Sequence, residues 1–230
     1  MMEARVQTQR REQEALRRRV AAALASGADT HARDEEGNTA LMYAVGSGDT
    51  ELVQLLAGAG VNAANERGLT PLMYAAILDA PLVARTLLAA GADSAARDAE
   101  GYSAFMYAAQ YASPGVMRLL HPTAPEGEAN AINTHGWTLL SLAAMHNASD
   151  AVQLLLDLGA QVNSPGKWGM TALMCAVHRG IAGEAVLRTL LAAGADPRQA
   201  TTDGDTAYTF AEDSDNTLAL NLFREYTRHA

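Results

Sequence analysis

Apolar residues recur along this chain in a fixed phase with one glycine and one hydroxyl residue. The pattern is Gly-x-Thr/Ser-x-Leu-x-x-Ala, with conservative replacements at the Leu position. Its copies begin at Gly37, Gly68, Gly101, Gly136, Gly169 and Gly204, which are 31, 33, 35, 33 and 35 residues apart. A repeat of this period is typical of supersecondary units stacked into a solenoid. The pattern therefore predicts a stack of similar units.

A second apolar pattern, in phase with the first, closes the units. A segment with paired leucines ends in Gly-Ala-Asp or a variant, with glycines at Gly27, Gly60, Gly91, Gly159 and Gly194. Glycine favours the left-handed conformation in which helices commonly end. Each unit is thus predicted to contain a turn, a short helix opened by Thr, a second helix and a glycine stop.

These two patterns resemble the ankyrin repeat, whose signature is a β-turn plus two helices around Thr-Pro-Leu-His-x-Ala. Only Thr70-Pro71-Leu72 keeps the Pro. The resemblance implies an all-α solenoid of helix-turn-helix repeats with β-turn or hairpin fingers, in which about five full repeats lie between capping half repeats. We predict a flexible segment over 1–11 and one ankyrin-repeat domain over 12–230, divided into a cap (12–33), repeats (34–64, 65–97, 98–132, 133–165, 166–200) and a C-terminal cap (201–230).

One departure from the family is systematic. In the family, the His of the Thr-Pro-Leu-His box hydrogen-bonds to the backbone of neighbouring turns. The equivalent positions here are Met42, Met73, Met106, Ser141 and Met174. Methionine cannot donate that bond, but its flexible thioether can fill irregular gaps.

The third unit breaks the closing pattern. After Leu119-Leu120, the segment 121–128 stands where Gly-Ala-Asp is expected, and it contains Pro122 and Pro125. Proline stops a helix because it lacks the backbone N–H and clashes with the preceding turn. Two interpretations stay open, drift in a surface connection and a specialised loop or hinge over 121–130.

The charge balance narrows the classes of partner. The 230 residues carry a formal net charge of -9, from 26 acidic and 17 basic residues. Acidic proteins are poorly suited to neutralise phosphates, so neither nucleic acid nor an anionic membrane is expected as a partner. The single Cys175 excludes an internal disulfide and favours a reducing compartment. We therefore expect a cytoplasmic protein.

The N-terminal arginines allow two interpretations. Arg17-Arg18-Arg19 precedes the apolar segment Val20–Ala25, an order found in targeting peptides. However, Val20–Asp29 aligns with Val83–Asp93, the closing helix and glycine stop of a full unit. We favour a capping half unit over a targeting segment. No stretch has the roughly 18 consecutive apolar residues that a membrane span needs.

The resemblance also implies where a partner would bind. In ankyrin proteins the partner contacts the turn tips and the inner face of the first helices. Both tryptophans lie at these positions in the last three units, together with Tyr, Met, His and Arg residues. Trp, Tyr and Arg dominate interface hot spots, and Met and aromatic residues are enriched in interface cores. The candidate contact residues are Tyr102, Gln110, Tyr111, His135, Trp137, Met145, His146, Lys167, Trp168, Met170, His178 and Arg179. Alternatively, Trp137 and Trp168 lie on neighbouring turns and brace the stack.

The first two units differ because their tips are acidic. They carry Asp34, Glu35, Glu36 and Glu66, with Arg33 and Arg67 among them. This is either a solvated face or a surface that steers a basic partner, which would mainly alter the association rate and its salt dependence.

Candidate catalytic chemistry is weak. Cys175 and His178 share a predicted helix, but Cys175 occupies the packing position that Tyr43 and Tyr74 fill elsewhere. His146 and His178 lack a third metal ligand, and Gly166-Lys167-Trp168 lacks the spacing of a phosphate loop. We expect no catalytic residue, cofactor or metal.

The predicted function is protein binding, by a chain that is monomeric alone and acts as an adaptor, inhibitor or immunity-type sequestering protein. The second hypothesis is a structural or self-assembling scaffold. The third is an enzyme that uses Cys175 or His178.

Overall fold

A computed structural model describes residues 2–58, 60–123, 127–178 and 183–229. Within these ranges the chain forms thirteen α-helices and no extended strands. They are α1 (Met2–Ala25), α2 (Ala40–Ser47), α3 (Thr50–Leu56), α4 (Pro71–Ile77), α5 (Pro81–Ala89), α6 (Ala104–Gln110), α7 (Pro114–Leu120), α8 (Leu139–Met145), α9 (Ser149–Asp157), α10 (Ala172–His178), α11 (Glu184–Ala192), α12 (Ala207–Asp213) and α13 (Thr217–His229).

The helices form two parallel rows. The first helices of the units, α2, α4, α6, α8, α10 and α12, each pack on the next, as do the second helices, α1, α3, α5, α7, α9, α11 and α13. Each first helix also packs on the second helix of its own unit. The buried motif alanines, such as Ala75 and Ala108, allow close approach between first helices. The predicted all-α solenoid is confirmed.

The N-terminal half unit consists of α1, which packs on α3 as a second helix would. Arg17 Nε lies 2.7 Å from Asp49 Oδ2, and the same guanidinium also binds Glu51. Asp49 in turn accepts the Leu52 amide at 3.0 Å as the N-cap of α3. The helix includes residues 2–11, whose predicted flexibility stays a prediction. None of the described helices is both long and apolar enough to cross a bilayer.

The first helices begin where the Thr/Ser positions predict. Thr70 Oγ1 accepts the Met73 amide at 3.4 Å, while the Met73 sulfur accepts the Thr70 amide at 3.4 Å. Ser103 with Met106 repeats this reciprocal arrangement. The thioether therefore fills the core, as the sequence predicts, and also acts as a weak acceptor in a local capping box.

The turns depend on an Asp or Asn three residues before the motif glycine, a role that sequence reasoning missed. Asp34 Oδ1 accepts the amides of Glu36 at 2.9 Å and Asn38 at 2.8 Å. The same pair of bonds is made by Asn65, Asp98 and Asn133. Asp and Asn are suited to such turns because their short side chains bond the backbone locally.

Successive turns are joined by backbone hydrogen bonds. The Glu66 amide donates to the Glu36 carbonyl at 3.1 Å, and the Ala99 amide donates to the Arg67 carbonyl at 3.1 Å. Gly68, with φ of +79°, lies so near the next turn that an added Cβ would be 2.8 Å from the Ala99 nitrogen. The stacked turns therefore require glycine for both conformation and space.

The irregular third unit is anchored where the sequence pattern fails. Residues 124–126 of this segment lie outside the described residues. Glu128 is 6% exposed, and its carboxylate accepts from Arg97 at 2.7 Å and from the Ser103 hydroxyl at 2.5 Å. A hinge at Glu128 would have to break both bonds.

The contribution of the Glu128 hydrogen bonds to the stability of the fold can be measured. We expect Glu128→Ala to lower the free energy of unfolding by about 1–3 kcal/mol, because it leaves the buried Ser103 hydroxyl without its acceptor. Chemical denaturation checks this, with exposed Glu100→Ala as the control. Equal midpoints for the two variants would show that the anchor contributes nothing.

An asparagine clamp joins the closing segments of neighbouring units. Asn62 Nδ2 donates to the Gly91 carbonyl at 3.1 Å, and Asn62 Oδ1 accepts the Asp93 amide at 2.7 Å. Asn163 makes the corresponding bonds to the last unit. Asn130 makes them to Gly159 and Gln161 at 3.1 and 2.7 Å. The third unit thus lacks the expected glycine stop but returns to register at Asn130.

Candidate protein-binding surface

Both tryptophans lie on adjacent turn tips, at the inner side of the fourth and fifth units. Their ring centroids are 5.9 Å apart and the rings are nearly perpendicular, at 85°. Trp137 is partly buried against the core, whereas Trp168 is 58% exposed. Lys167 Nζ lies 4.5 Å from the centroid of the Trp168 ring. The indoles therefore support each other while one stays open to solvent.

A cleft of about 300 Å³ lies beside the two indoles. It is lined by Trp137, Met145, Trp168, Met170, Cys175 and His178. We call the accessible side chains around it, Trp137, Met145, Lys167, Trp168 and His178, the tryptophan surface. Its aromatic rings and the Met145 thioether match the residue types enriched in interface cores.

The fifth turn holds Trp168 in an unusual conformation. Trp168 has φ of 59° and ψ of 19°, inside a short 3₁₀ turn over Lys167–Gly169. This left-handed region costs a residue with a Cβ about 1–2 kcal/mol. The equivalent residues of the first four turns do not have positive φ. Strain of this kind often accompanies a functional site.

The cause is a glycine at the position that holds Asp or Asn in the preceding turns. Gly166 has no side chain to accept the amides of the turn, and the Met170 amide donates to the Lys167 carbonyl at 3.1 Å instead. The Lys167 amide donates to the Gly136 carbonyl at 2.6 Å. A Cβ at Gly166 would lie 3.1 Å from that carbonyl oxygen. Sequence reasoning missed this, although glycine at an Asx position was a readable signal.

The tyrosines of the third unit form a stack that corrects one prediction. Tyr102 is only 7% exposed, packs 5.0 Å from Tyr107, and accepts a hydrogen bond from Asn133. The Tyr107 hydroxyl donates to Asp98 Oδ2 at 2.6 Å. Burial, with this bond, raises the pKa of Tyr107 well above its usual range. Tyr102 is therefore a packing residue, and only Tyr111, 51% exposed, ends the stack at the surface.

The other predicted contact residues differ in how much of each side chain is exposed to solvent. Met170 is 7% exposed and packs in the core, where it also lines the cleft, so its role as a contact residue stays a prediction. Gln110 is partly buried. His135, His146 and His178 are exposed, and His178 is held edge-on against Phe210 at 5.0 Å. Arg179 lies outside the described residues.

Cys175 sits at the inner wall of the cleft and is 2% exposed. Burial raises the pKa of its thiol to about 12, so the reactive thiolate is rare at neutral pH. The predicted buried packing position is confirmed. Across the described residues, no group of three or more His, Cys, Asp or Glu side chains is arranged to hold a metal.

This burial predicts slow thiol chemistry. At pH 8 we expect a thiol reagent to label the folded protein at least about 100-fold more slowly than the urea-unfolded chain, because unfolding returns the thiol pKa to about 8.5. The rate is measured by absorbance of the released chromophore. Rapid labelling of folded protein would show that the cleft exposes the sulfur.

Comparison with known proteins agrees with this architecture. The chain matches the family described as Ankyrin repeats (3 copies) over residues 14–98 and 90–166, and the single Ankyrin repeat over residues 168–202. The B-cell lymphoma 3 protein of Homo sapiens is 32% identical over 154 residues, which are 63% of this chain and 34% of that protein. This chain therefore spans about a third of that relative's length.

Two solved structures show the same fold. The ankyrin repeat domain of Bcl-3, a unique member of the IkappaB protein family, gives a TM-score of 0.69 at 28% identity, covering 86% of this chain and 88% of that one. The human ASB11 ankyrin repeat domain gives a TM-score of 0.73 at 23% identity, covering 85% and 90%. The second likeness concerns the fold alone.

Ankyrin repeats generally mediate protein–protein interaction, and proteins built from them are typically binding modules without catalytic activity. The family matches cover most of the chain, and the two rows of helices have the ankyrin arrangement. The chain belongs to the ankyrin-repeat family.

Proposed function

We propose that the tryptophan surface is where this chain binds its protein partner. The exposure of Trp168 carries the proposal. A large indole that is 58% exposed, on a backbone strained to present it, has no role in filling the core. Tryptophan is the residue type in which interface hot spots are most enriched.

The surroundings of Trp168 support the same proposal. Trp137 stands edge-on behind it and restricts its movement, which lowers the entropy cost of ordering the side chain on binding. Met145 and His178 line the adjoining cleft. If the two tryptophans only braced the stack, the packing of Trp137 on the core would be explained. The exposure of the Trp168 ring would not be.

The role that fits a surface without catalytic groups is recruitment, inhibition or sequestration of the bound protein. Similarity to the ankyrin repeat domain of Bcl-3, a member of the IkappaB protein family, favours inhibition among these roles. We propose that the chain acts by occupying its partner's surface, as a monomer in the cytoplasm.

The test uses capture from the native cell. Tagged wild-type protein, a Trp137→Ala/Trp168→Ala variant and a Leu82→Ala control are compared by affinity purification and mass spectrometry. Leu82 is 65% exposed and lies in the first turn of the second helix α5, away from the tryptophan surface. We expect one partner to be retained by wild type and control and lost from the double variant. Undiminished capture by the double variant would contradict the proposal.

The molecular mass in solution distinguishes the self-assembling scaffold hypothesis from binding of a different protein. Light scattering of the wild-type chain is expected to give a monomer up to high concentration. A concentration-dependent oligomer that the double variant abolishes would favour self-assembly instead.

A further inference from the structure

A second groove lies at the other end of the stack, between the first helices α2 and α4, and the proposed function does not use it. Its volume is about 380 Å³. We call it the N-terminal groove, lined by Asn38, Met42, Tyr43, Gly46, Tyr74 and Leu78. It is separated from the tryptophan surface by the third unit.

The walls of the groove present apolar surface. Tyr43 is 63% exposed and Leu78 is 50% exposed, while Met42 forms part of the buried floor. Exposed apolar residues that adjoin in this way commonly mark an interaction site.

The polar atoms in these walls are already bonded within the protein. The Tyr43 hydroxyl donates to Asp34 Oδ2 at 2.6 Å. Asn38 Oδ1 accepts from Asn65 Nδ2 at 2.9 Å and from the Tyr74 hydroxyl at 3.3 Å. These bonds hold the rings in place, so an incoming group meets rigid ring faces and carbon.

The groove is open because one position in the α2 helix is glycine. Gly46 occupies the inner-face position that is Ile77, Gln110, Met145 and His178 in the following units. A Cβ added at Gly46 would find no atom within 4 Å. Glycine inside a helix costs about 0.5–1 kcal/mol relative to alanine. The chain thus bears a local cost at a place where a large side chain would close the groove.

Negative charge borders the groove at both ends. Asp34, Glu35, Glu36 and Glu66 lie exposed on the adjoining turns, and Asp79 follows Leu78 at the far end. The hydrogen bond from Tyr43 lowers the pKa of Asp34, with the amides of Asn38 and Glu36 contributing, so its charge persists at neutral pH. Within the described part of the chain, none of these five carboxylates takes part in an ion pair.

The neighbouring arginines do not neutralise the negative charge around the groove. Arg33 donates to the carbonyls of Gly37 and Ala64, and Arg67 is exposed on the second turn. Two arginines therefore face five carboxylates around the groove. The negative electrostatic potential around the groove favours binding of a cationic peptide and speeds its association.

We infer that the N-terminal groove binds a peptide segment of a protein partner in which an apolar side chain is flanked by Lys or Arg. The apolar side chain fills the space beside Gly46, between Tyr43 and Leu78, and the cations pair with the acidic turns. A second copy of this chain is disfavoured as occupant, because the formal charge of -9 makes like molecules repel.

The experiment places a side chain in the open space beside Gly46. A phage-displayed library of random 12-residue peptides is selected on the Trp168→Ala protein, so that the tryptophan surface does not dominate. Binding of the enriched peptides is then measured on Gly46→Trp and Gly46→Ala in the same background. Alanine leaves most of the space open and serves as the matched control. Circular dichroism and denaturation midpoints check the folding of both variants.

We expect the enriched peptides to share an apolar residue next to Lys or Arg, to bind Gly46→Ala as they bind Gly46, and to bind Gly46→Trp at least about 10-fold more weakly. Leu78→Arg, on the other wall, is expected to give the same loss and replaces Gly46→Trp if that variant does not fold. The affinity is also expected to fall between 50 and 500 mM salt, by screening.

Several results would overturn the inference. They are enriched peptides without cations, peptides that bind Gly46→Trp undiminished, or no enrichment above a blank surface. A dimer of the wild-type chain that Gly46→Trp dissociates would also overturn it, by showing that a second copy is the occupant. None of these results bears on Trp168, so the proposed function stands or falls separately.

Discussion

Trp168→Ala is expected to weaken binding of the captured partner by about 30- to 1,000-fold, which corresponds to about 2–4 kcal/mol for a hot-spot residue. The Trp168 indole is 58% exposed, and Trp137 holds it edge-on. Its removal deletes contact area that a partner can desolvate completely. The measurement is a titration of purified partner by calorimetry or surface plasmon resonance.

A measurement of the free energy of unfolding distinguishes this loss of affinity from misfolding. Trp168→Ala loses the edge contact with Trp137, which is worth about 0.5–1.5 kcal/mol, so most of the fold's free energy of unfolding should remain. Leu82→Ala, on a second helix, is the matched control and should leave affinity unchanged. If Trp168→Ala binds within threefold of wild type while Leu82→Ala does also, the partner contacts another part of the protein.

Gly68→Ala is expected to lower the free energy of unfolding by about 2–5 kcal/mol. A residue with a Cβ in the left-handed region costs about 1–2 kcal/mol, and Gly68 has φ of +79°. The new methyl would also lie 2.8 Å from the Ala99 nitrogen. Because that nitrogen belongs to the next turn, the turns must shift apart, at a cost of about 1–3 kcal/mol for overpacking.

A matched glycine isolates the contribution of stacking. Gly91 has φ of +89°, and a Cβ there would find no atom within 4 Å. Gly91→Ala therefore incurs the conformational cost alone, about 1–2 kcal/mol. Urea denaturation of both variants gives the difference. Equal losses would mean that the turns relax without penalty and that Gly68 is needed only for its backbone angle.

Much of the fold follows from local sequence. Thr70 and Ser103 predict the helix starts, because a hydroxyl before an apolar segment caps the first amides. Gly91 and Gly194 predict the helix ends, and both have positive φ in the structure. These signals act between residues close in the chain, so they can be read without knowing the neighbours.

The candidate surface was only partly predictable. The sequence places Tyr102 and Trp137 at the same position after a turn glycine, yet Tyr102 is 7% exposed and Trp137 is only partly buried. The difference comes from Tyr107 and Asn133, which enclose Tyr102 from its own and the next unit. Burial at a turn tip depends on what the adjacent turn supplies, and spacing along the chain carries no such information.

The sequence alone determined that the chain is a stack of helix pairs closed by glycines, because the repeated spacing and the capping residues act locally. Tertiary structure alone decided which side chains remain accessible. It set Trp137 edge-on against Trp168, whose ring stays 58% exposed, and it placed Glu128 between Arg97 and Ser103 where the repeat pattern fails. Each outcome depends on contact between units more than twenty residues apart, and such contacts exist only once the stack has formed.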